Sequence, residues 1–159
     1  MKKIMSAALL EVQSLSTWID SPQGPVRAVD GVSLSVEAGT TFALLGESGC
    51  GKSMTALSLM RLLPEPARIV SGSVRFEGAD LMALTEARVR EVRGGAIAMI
   101  FQEPATSLNP VLTVGTQIGE VLERHAGLSG AGARQRAMDL LDAVGIPDPA
   151  RRLREYPFQ

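Results

Sequence analysis

The chain has 159 residues, enough for one domain that buries roughly 70% of its unfolded surface. Apolar residues make up 45% of the chain and charged residues 21%, a balance that excludes wholesale disorder. The net charge of −1 gives no basic surface for nucleic acid, and the longest dense apolar run, 96–101, is far shorter than the ~20 residues of a membrane-spanning helix. Cys50 is the single cysteine, so an intrachain disulfide is excluded and a reducing compartment is indicated.

The amino-terminal third has the pattern of an antiparallel sheet. Residues 1–8 are expected to form a frayed leader, because Glu11 interrupts the apolar stretch before a full signal peptide appears. Apolar residues alternate over 10–17 and over 26–36, which predicts two half-buried strands. The Pro- and Gly-rich stretch 20–25 between them predicts a reversal, so we expect a hairpin.

Two runs, 41–45 and 96–101, are apolar at nearly every position instead of alternating. This pattern is typical of strands covered on both faces in a parallel sheet, so we expect both runs to be central strands. A helix is predicted after the first run and ends before Pro64, because proline cannot continue a helix. A short strand is predicted over 72–78 and a helix from about Thr85 to Val92.

The character of the chain changes from strand-rich to helical near Asn109 and Pro110. Apolar residues at helical spacing predict two amphipathic helices beyond this point, separated by the stretch 127–132. We therefore place one part at 9–109 and a second, helical part at 110–159. The single histidine, His125, is expected at a helix end, where a basic side chain favours the dipole.

The most specific motif is G-E-S-G-C-G-K-S at residues 46–53, which matches the phosphate-binding pattern G-x-x-x-x-G-K-[ST]. It follows a predicted buried strand and opens a predicted helix, as the mechanism requires. Glycines allow successive backbone amides to point at phosphate oxygens, and the helix adds its free N–H groups and positive dipole end. The predicted nucleotide-binding residues are Gly46, Glu47, Ser48, Gly49, Cys50, Gly51, Lys52, Ser53, Met54 and Thr55.

These residues have separate predicted roles. Lys52 is expected to reach the β- and γ-phosphates of ATP, and the Ser53 hydroxyl to ligate Mg²⁺. The amides of Met54 and Thr55, and the Thr55 hydroxyl, are within reach of the α-phosphate. The alternative interpretation of the whole motif is a glycine-rich turn that binds no ligand. Cys50 occupies a position that the motif does not specify, and the alternative there is a side chain without a role in binding.

Some forty residues of β-pattern precede the phosphate loop, and the stretch 99–110 reads M-I-F-Q-E-P-A-T-S-L-N-P. Together with 46–53 and the final Y-P-F-Q, this order resembles the ATP-binding subunits of ABC transporters, most closely importers of dipeptides, oligopeptides and nickel. The resemblance implies an α/β fold: an ABC-type P-loop core with an antiparallel β-subdomain and the start of a helical subdomain. It implies an ABC-type ATPase that binds ATP and Mg²⁺ and couples hydrolysis to import of peptides or a related small solute.

Gln102 lies in the segment that resembles the family's Q-loop. The resemblance implies that Lys52 and Gln102 are catalytic residues. It also implies that Gln102 ligates Mg²⁺, as Ser53 does, and links the nucleotide to the helical subdomain. A groove there would receive a helix of the transmembrane permease subunits, with residues 103–109 near that partner. The resemblance also implies a second ATP-binding subunit, identical or different, that completes a dimer. This dimer would lie on the cytoplasmic face of the inner membrane without inserting into the lipid.

An aromatic residue at the end of the first strand stacks on adenine in this family. Alignment with related sequences places Ile19 at that position and Trp18 one residue earlier, so both residues stay candidates.

The family's LSGGQ signature, the second acidic motif with its catalytic glutamate and the switch histidine do not occur in these 159 residues. We therefore expect this chain to supply one half of an ATP site and to lack partner strands of the central sheet. Two alternatives stay open: a truncated chain that binds nucleotide without hydrolysing it, and an ABC ATPase in a role other than transport.

Overall fold

The computed structural model describes residues 8–101 and 107–159. Its contacts divide the chain into two compact units, one ending at Arg90 and one running from Glu91 to Gln159. Each unit is considered by itself below. The predicted boundary at 109/110 and the predicted leader stay predictions, and residues 1–7 of that leader lie outside the described part.

The first unit is built on a four-stranded antiparallel sheet. Its strands are β1 (Leu10–Ile19), β2 (Val26–Val36), β3 (Ala67–Phe76) and β4 (Ala79–Asp80), in the order β2-β1-β3-β4. Strands β1 and β2 pair from Leu10 opposite Val36 to Ile19 opposite Val26, so the predicted hairpin is confirmed. The short strand predicted over 72–78 is the second half of β3, which pairs along the other edge of β1.

Strand β1 is central in this sheet and supplies much of the core. Val12, Leu15 and Thr17 on β1, and Val74 on β3, are at most 1% exposed. A side chain on a strand is buried when its face of the sheet is covered, and the Thr17 side chain contacts Ser58 in the helix that follows the 46–51 loop. Helices α1 (Lys52–Leu59) and α2 (Glu86–Val92) complete the elements of this unit.

The runs 41–45 and 96–101 were expected to be buried central strands, and in the structure neither forms one. Leu45 is 88% exposed and Ile100 is 97% exposed. A buried strand needs hydrogen-bonded neighbours on both edges and a covering layer on both faces. Among the described residues no strand pairs with 41–45, and the second run makes only an isolated bridge between Arg93 and Ile97.

Among its described residues, the second unit contains the last two residues of α2 and the helices α3 (Val114–Ala126), α4 (Gly130–Ala143) and α5 (Pro149–Arg152). The Thr113 hydroxyl accepts a hydrogen bond from the Thr116 amide and caps the start of α3. Gly127, in the left-handed conformation at φ 64°, ends the helix after a last turn that carries His125. The two predicted amphipathic helices are therefore confirmed.

The core of the second unit is small and lies between α3, α4 and the end of α5. It consists of five buried side chains, Leu122, Ala133, Ala137, Leu141 and Leu153. Within the described ranges, no helix is both long enough and apolar enough to pass through a bilayer.

Candidate functional site

The loop at 46–51 turns sharply into α1. Gly49 and Gly51 have φ angles of +81° and +91°, a region of conformational space that side chains with a Cβ rarely occupy. Gly51 is the residue immediately before α1, so the helix begins at Lys52. The backbone conformation therefore requires glycine at positions 49 and 51, as the sequence pattern indicated.

Gly51 also lies against the sheet. A Cβ built on this residue would lie 2.3 Å from the carbonyl oxygen of Ala28 on β2. No side chain fits in that space, so the backbone of Gly51 packs directly against the backbone of β2 at Ala28. This contact fixes the start of α1 against the hairpin formed by β1 and β2.

The Lys52 side chain folds back across the loop. Its Nζ donates hydrogen bonds to the carbonyl oxygens of Gly46 at 2.7 Å and Glu47 at 2.6 Å, and lies 3.5 Å from Cys50 Sγ. The ammonium group is thus held over the centre of the loop by neutral acceptors. Among the described residues no carboxylate forms an ion pair with it, so its charge is available to an anion that enters the loop.

Backbone amides surround the same position. Cys50 donates its amide to the Glu47 carbonyl oxygen at 3.4 Å, and in the described chain no other amide of 46–51 has a backbone acceptor. The first amides of α1 are free by the geometry of a helix start, and their dipole is positive at this end. The loop therefore presents N–H groups and one ammonium to a single small volume.

Ser53 and Thr55 differ in what their hydroxyls contact. Ser53 is exposed, and its hydroxyl has no protein partner among the described residues, so it is free to ligate a cation. Thr55 is 4% exposed, and its hydroxyl donates to the carbonyl oxygen of Gly51 at 3.0 Å. The Thr55 hydroxyl therefore stabilises the loop, which leaves its predicted contact with the α-phosphate without a free donor in this conformation.

The Lys52 ammonium, the loop amides and the Ser53 hydroxyl fit a nucleoside triphosphate with Mg²⁺. The glycine cradle has no room for a side chain at Gly51, and a Cβ at Gly46 would lie 2.6 Å from Cys50 Sγ, so the Cys50 side chain would have to move. The ammonium and the amides are donors suited to phosphate oxygens, and the free hydroxyl is the oxygen ligand that Mg²⁺ prefers. The exposed Ser48 and Glu47 side chains lie at the rim of the loop.

Trp18 and Ile19 lie on opposite faces of β1. Pairing with β3 is regular from Thr17 to Ile19, so side chains alternate over these residues. The Thr17 side chain contacts α1, which places Ile19 on the α1 side and Trp18 on the other. The Arg27 guanidinium carbon lies 5.4 Å from the centre of the Trp18 ring and covers it.

Gln102 lies outside the described residues, so its predicted catalytic and metal-binding role stays a prediction. The structure does show how the chain is held soon after it. The Gln117 side chain accepts a hydrogen bond from the Asn109 amide at 2.9 Å and donates to the carbonyl oxygens of Asn109 at 3.0 Å and Leu112 at 3.1 Å. Gln117 therefore fixes the 109–112 segment to α3.

An open groove of about 610 Å³ lies beside this segment in the second unit. Among its lining residues are Leu108, Ile118, Val121 and Leu140, with Glu120 at the edge. Val121 is 55% exposed and Leu108 is 42% exposed. We call this surface the 108/121 groove.

Three structural residues of these regions were not predicted from the sequence. Gln117 looked like an ordinary polar helix residue, and Thr17 and Ser58 lie 41 residues apart with no shared motif. Hydroxyl residues within apolar stretches are the one sequence signal that marks Thr17 and Ser58 as buried hydrogen-bonding groups.

Comparison with known proteins agrees with this geometry. Residues 29–159 match the ABC transporter family. A putative peptide import ATP-binding protein of Brucella abortus is 51% identical over 156 residues, covering 98% of this chain and 47% of that protein. The dipeptide transport ATP-binding protein DppD of Bacillus subtilis is 48% identical over 152 residues, covering 95% of this chain and 45% of its own length. The chain thus spans about half the length of these relatives.

The fold agrees as well. The dimeric structure of a bacterial ABC transporter cassette superimposes with a TM-score of 0.81 at 21% identity, covering 94% of this chain and 62% of the cassette. A post-hydrolysis ATP-binding cassette bound to ADP and Pi gives a TM-score of 0.78 at 20% identity, with the same coverage. The α/β ABC-type fold expected from the motif order is therefore confirmed, and the chain belongs to the ABC transporter family.

Proposed function

We propose that this chain binds MgATP at residues 46–55. The observation that carries the proposal is the Lys52 ammonium, held over the loop by the carbonyl oxygens of Gly46 and Glu47 at 2.7 and 2.6 Å. Phosphate oxygens that enter the loop replace these neutral acceptors with charged ones, and charge-assisted hydrogen bonds are the stronger kind. The free amides of the loop then hold the remaining phosphate oxygens.

The metal and the second catalytic residue follow from the same arrangement. The Ser53 hydroxyl would hold Mg²⁺, with Gln102 as a further ligand through its amide oxygen or a water, and the ion would supply positive charge against the phosphates. In hydrolysis, Lys52 neutralises negative charge on the phosphates as the terminal bond breaks. The remaining parts of the reaction are the signature, which a second ATP-binding subunit would supply, and the second acidic motif with its catalytic glutamate, neither of which occurs in these 159 residues.

For the base, the alternation along β1 favours Ile19 over Trp18. Ile19 lies on the side of the strand that faces α1, and an aliphatic side chain can cover an adenine ring by dispersion contact. Trp18 is covered by Arg27 on the opposite face. We therefore assign Ile19 to the adenine end of the site and Trp18 to sheet packing.

Coupled to this site we propose import of peptides, as the ATP-binding component of a membrane transporter. The support is that relatives covering 95–98% of this chain at 48–51% identity are named for peptide import and dipeptide transport. The 108/121 groove is the proposed contact with the permease subunits, because it is apolar, open and joined through Gln117 to the segment after Gln102. The protein then works peripherally at the cytoplasmic face of the membrane.

The experiment for import is uptake in the source organism. A Lys52→Ala change at the chromosomal locus is expected to abolish uptake of a labelled dipeptide and to leave uptake of a labelled free amino acid unchanged. Unchanged dipeptide uptake in this strain would contradict the import proposal. Nucleotide binding by the purified chain is measured separately, so the two parts of the proposal fail independently.

A further inference from the structure

A buried pair of hydroxyl groups joins the central strand to the phosphate-loop helix. Thr17 on β1 and Ser58 on α1 are both 0% exposed, and their side-chain oxygens lie 2.7 Å apart. The two residues are 41 positions apart in the sequence. Since a buried hydroxyl without a partner is costly, the Thr17 hydroxyl depends on Ser58.

The direction of this hydrogen bond follows from the proton count. The Ser58 hydroxyl has one proton, and it donates to the carbonyl oxygen of Met54 at 2.6 Å. Thr17 must then donate its own proton to the Ser58 oxygen. The result is a chain of two hydrogen bonds that runs from β1 into the first turn of α1, one residue after Ser53.

This pair of hydrogen bonds starts on the strand that carries the proposed adenine contact and ends in the first turn of the helix that carries the proposed phosphate and Mg²⁺ residues. Ile19, two residues beyond Thr17 and on the same face of β1, is the proposed adenine contact. Met54 belongs to the turn that follows Lys52 and Ser53, the proposed phosphate and Mg²⁺ residues. The start of α1 is already fixed against β2 by Gly51, so the bond from Thr17 is a second, independent attachment.

We propose that Thr17 and Ser58 are positioning residues that fix the separation between the base end and the phosphate end of the nucleotide site. This inference rests on the proposed binding of MgATP at 46–55. An apolar pair at these positions would pack without a preferred direction, whereas a hydrogen bond holds two atoms at one distance. The pair therefore contributes most to ligands that span both ends of the site.

The test compares a ligand that spans the site with one that occupies only the phosphate end. MgATP and inorganic tripolyphosphate with Mg²⁺ are titrated calorimetrically into the full chain and into Thr17→Val, which has nearly the same shape and lacks the hydroxyl. We expect Thr17→Val to weaken MgATP binding about fivefold to tenfold, the effect of losing one such bond. Tripolyphosphate affinity is expected to change less than about twofold.

Two further variants separate positioning from general stability. Thr17→Ser keeps the hydroxyl and is expected to restore MgATP affinity, and Ser58→Ala removes the other partner and is expected to repeat the selective loss. If circular dichroism shows that Thr17→Val does not fold, the folded Ser58→Ala chain provides the comparison. A larger loss of MgATP affinity than of tripolyphosphate affinity in that variant supports the inference, and equal losses contradict it.

Equal loss of both ligands, or no loss of either, would overturn the inference, because a purely structural pair does not distinguish them. Failure of the unmodified chain to bind either ligand would instead contradict the proposed function. The two failures are therefore distinguishable.

Discussion

The Gly115 amide donates a hydrogen bond to the carbonyl oxygen of Leu153 at 2.9 Å, and a Cβ on Gly115 would lie 2.5 Å from that same oxygen. The preceding amide, of Val114, donates to the carbonyl oxygen of Glu155 at 3.0 Å. Two of the free N–H groups at the start of α3 are thus satisfied by the segment just after α5. This close approach requires glycine at position 115 and connects the start of α3 to the segment after α5.

Gly115→Ala is therefore expected to destabilise the second unit. The added methyl group must displace the backbone at Leu153, and overpacking of this kind costs about 1–3 kcal/mol of unfolding free energy. Gly119→Ala, one helical turn further in α3, is the matched control because a Cβ there meets nothing within 4 Å. It is expected to stabilise the helix by about 0.5–1 kcal/mol. Urea unfolding of both variants measures this difference, and changes of the same sign would contradict the account.

Gln117→Ala is expected to release the 109–112 segment from α3. Three hydrogen bonds between the Gln117 side chain and this segment are lost, at a cost of about 1–3 kcal/mol in total. Hydrogen exchange at the Asn109 amide measures the release directly and is expected to become faster. Gln135→Ala is the control, since the one side-chain hydrogen bond of Gln135 within the described ranges goes to the exposed Asp139, and hydrogen exchange at the Asn109 amide in this variant should match the unmodified chain.

Glu155 makes the stability of the second unit sensitive to acid. A hydrogen bond from Arg152 at 2.7 Å, with one from Arg151 at 2.8 Å, holds the pKa of Glu155 below its ordinary value of 4.5. A carboxyl whose pKa is lower in the folded state stabilises the fold above its ordinary pKa and loses this contribution as pH falls through the folded pKa. Glu155→Gln should therefore lower the melting temperature at pH 7 and have a smaller effect near pH 3. An equal effect at both pH values would show that the ion pairs contribute nothing.

Local patterns predicted the antiparallel sheet and the helices well. Alternation over 26–36 and helical spacing after Pro110 report which face of each element is buried, and both elements formed as predicted. For the runs 41–45 and 96–101 the same reasoning gave a wrong prediction. Their apolar composition indicates a buried strand, but strand formation depends on neighbours that no local pattern contains, and both runs are largely exposed here.

At the candidate site, the sequence predicted the conformation of the loop but not the packing of α1 on β1. The glycine pattern predicted the backbone conformation of the 46–51 loop, as the positive φ angles of Gly49 and Gly51 show, and the binding of phosphate there stays a prediction. The Thr17–Ser58 hydrogen bond was out of reach, because it depends on how α1 packs on β1. The face of β1 that carries Ile19 required the strand pairing as well.

Val121→Glu tests the proposed permease contact. A carboxylate in the 108/121 groove would have to be desolvated against an apolar partner helix, so we expect co-purification with the permease subunits to be lost. Val144→Glu is the matched control, because Val144 is 71% exposed in the same unit and does not line the groove. Equal retention of the permease by both variants would place its contact elsewhere.

The most direct test of the account is MgATP affinity measured calorimetrically for the unmodified chain, Lys52→Ala and Cys50→Ser. Lys52 supplies the ammonium over the loop, whereas the Cys50 side chain occupies an unspecified motif position in the same loop. We predict that Lys52→Ala weakens binding about 10- to 100-fold, the effect of losing charged hydrogen bonds, and that Cys50→Ser changes it less than about threefold. Equal affinity of the unmodified chain and Lys52→Ala for MgATP would contradict the central claim that residues 46–55 form a nucleotide site.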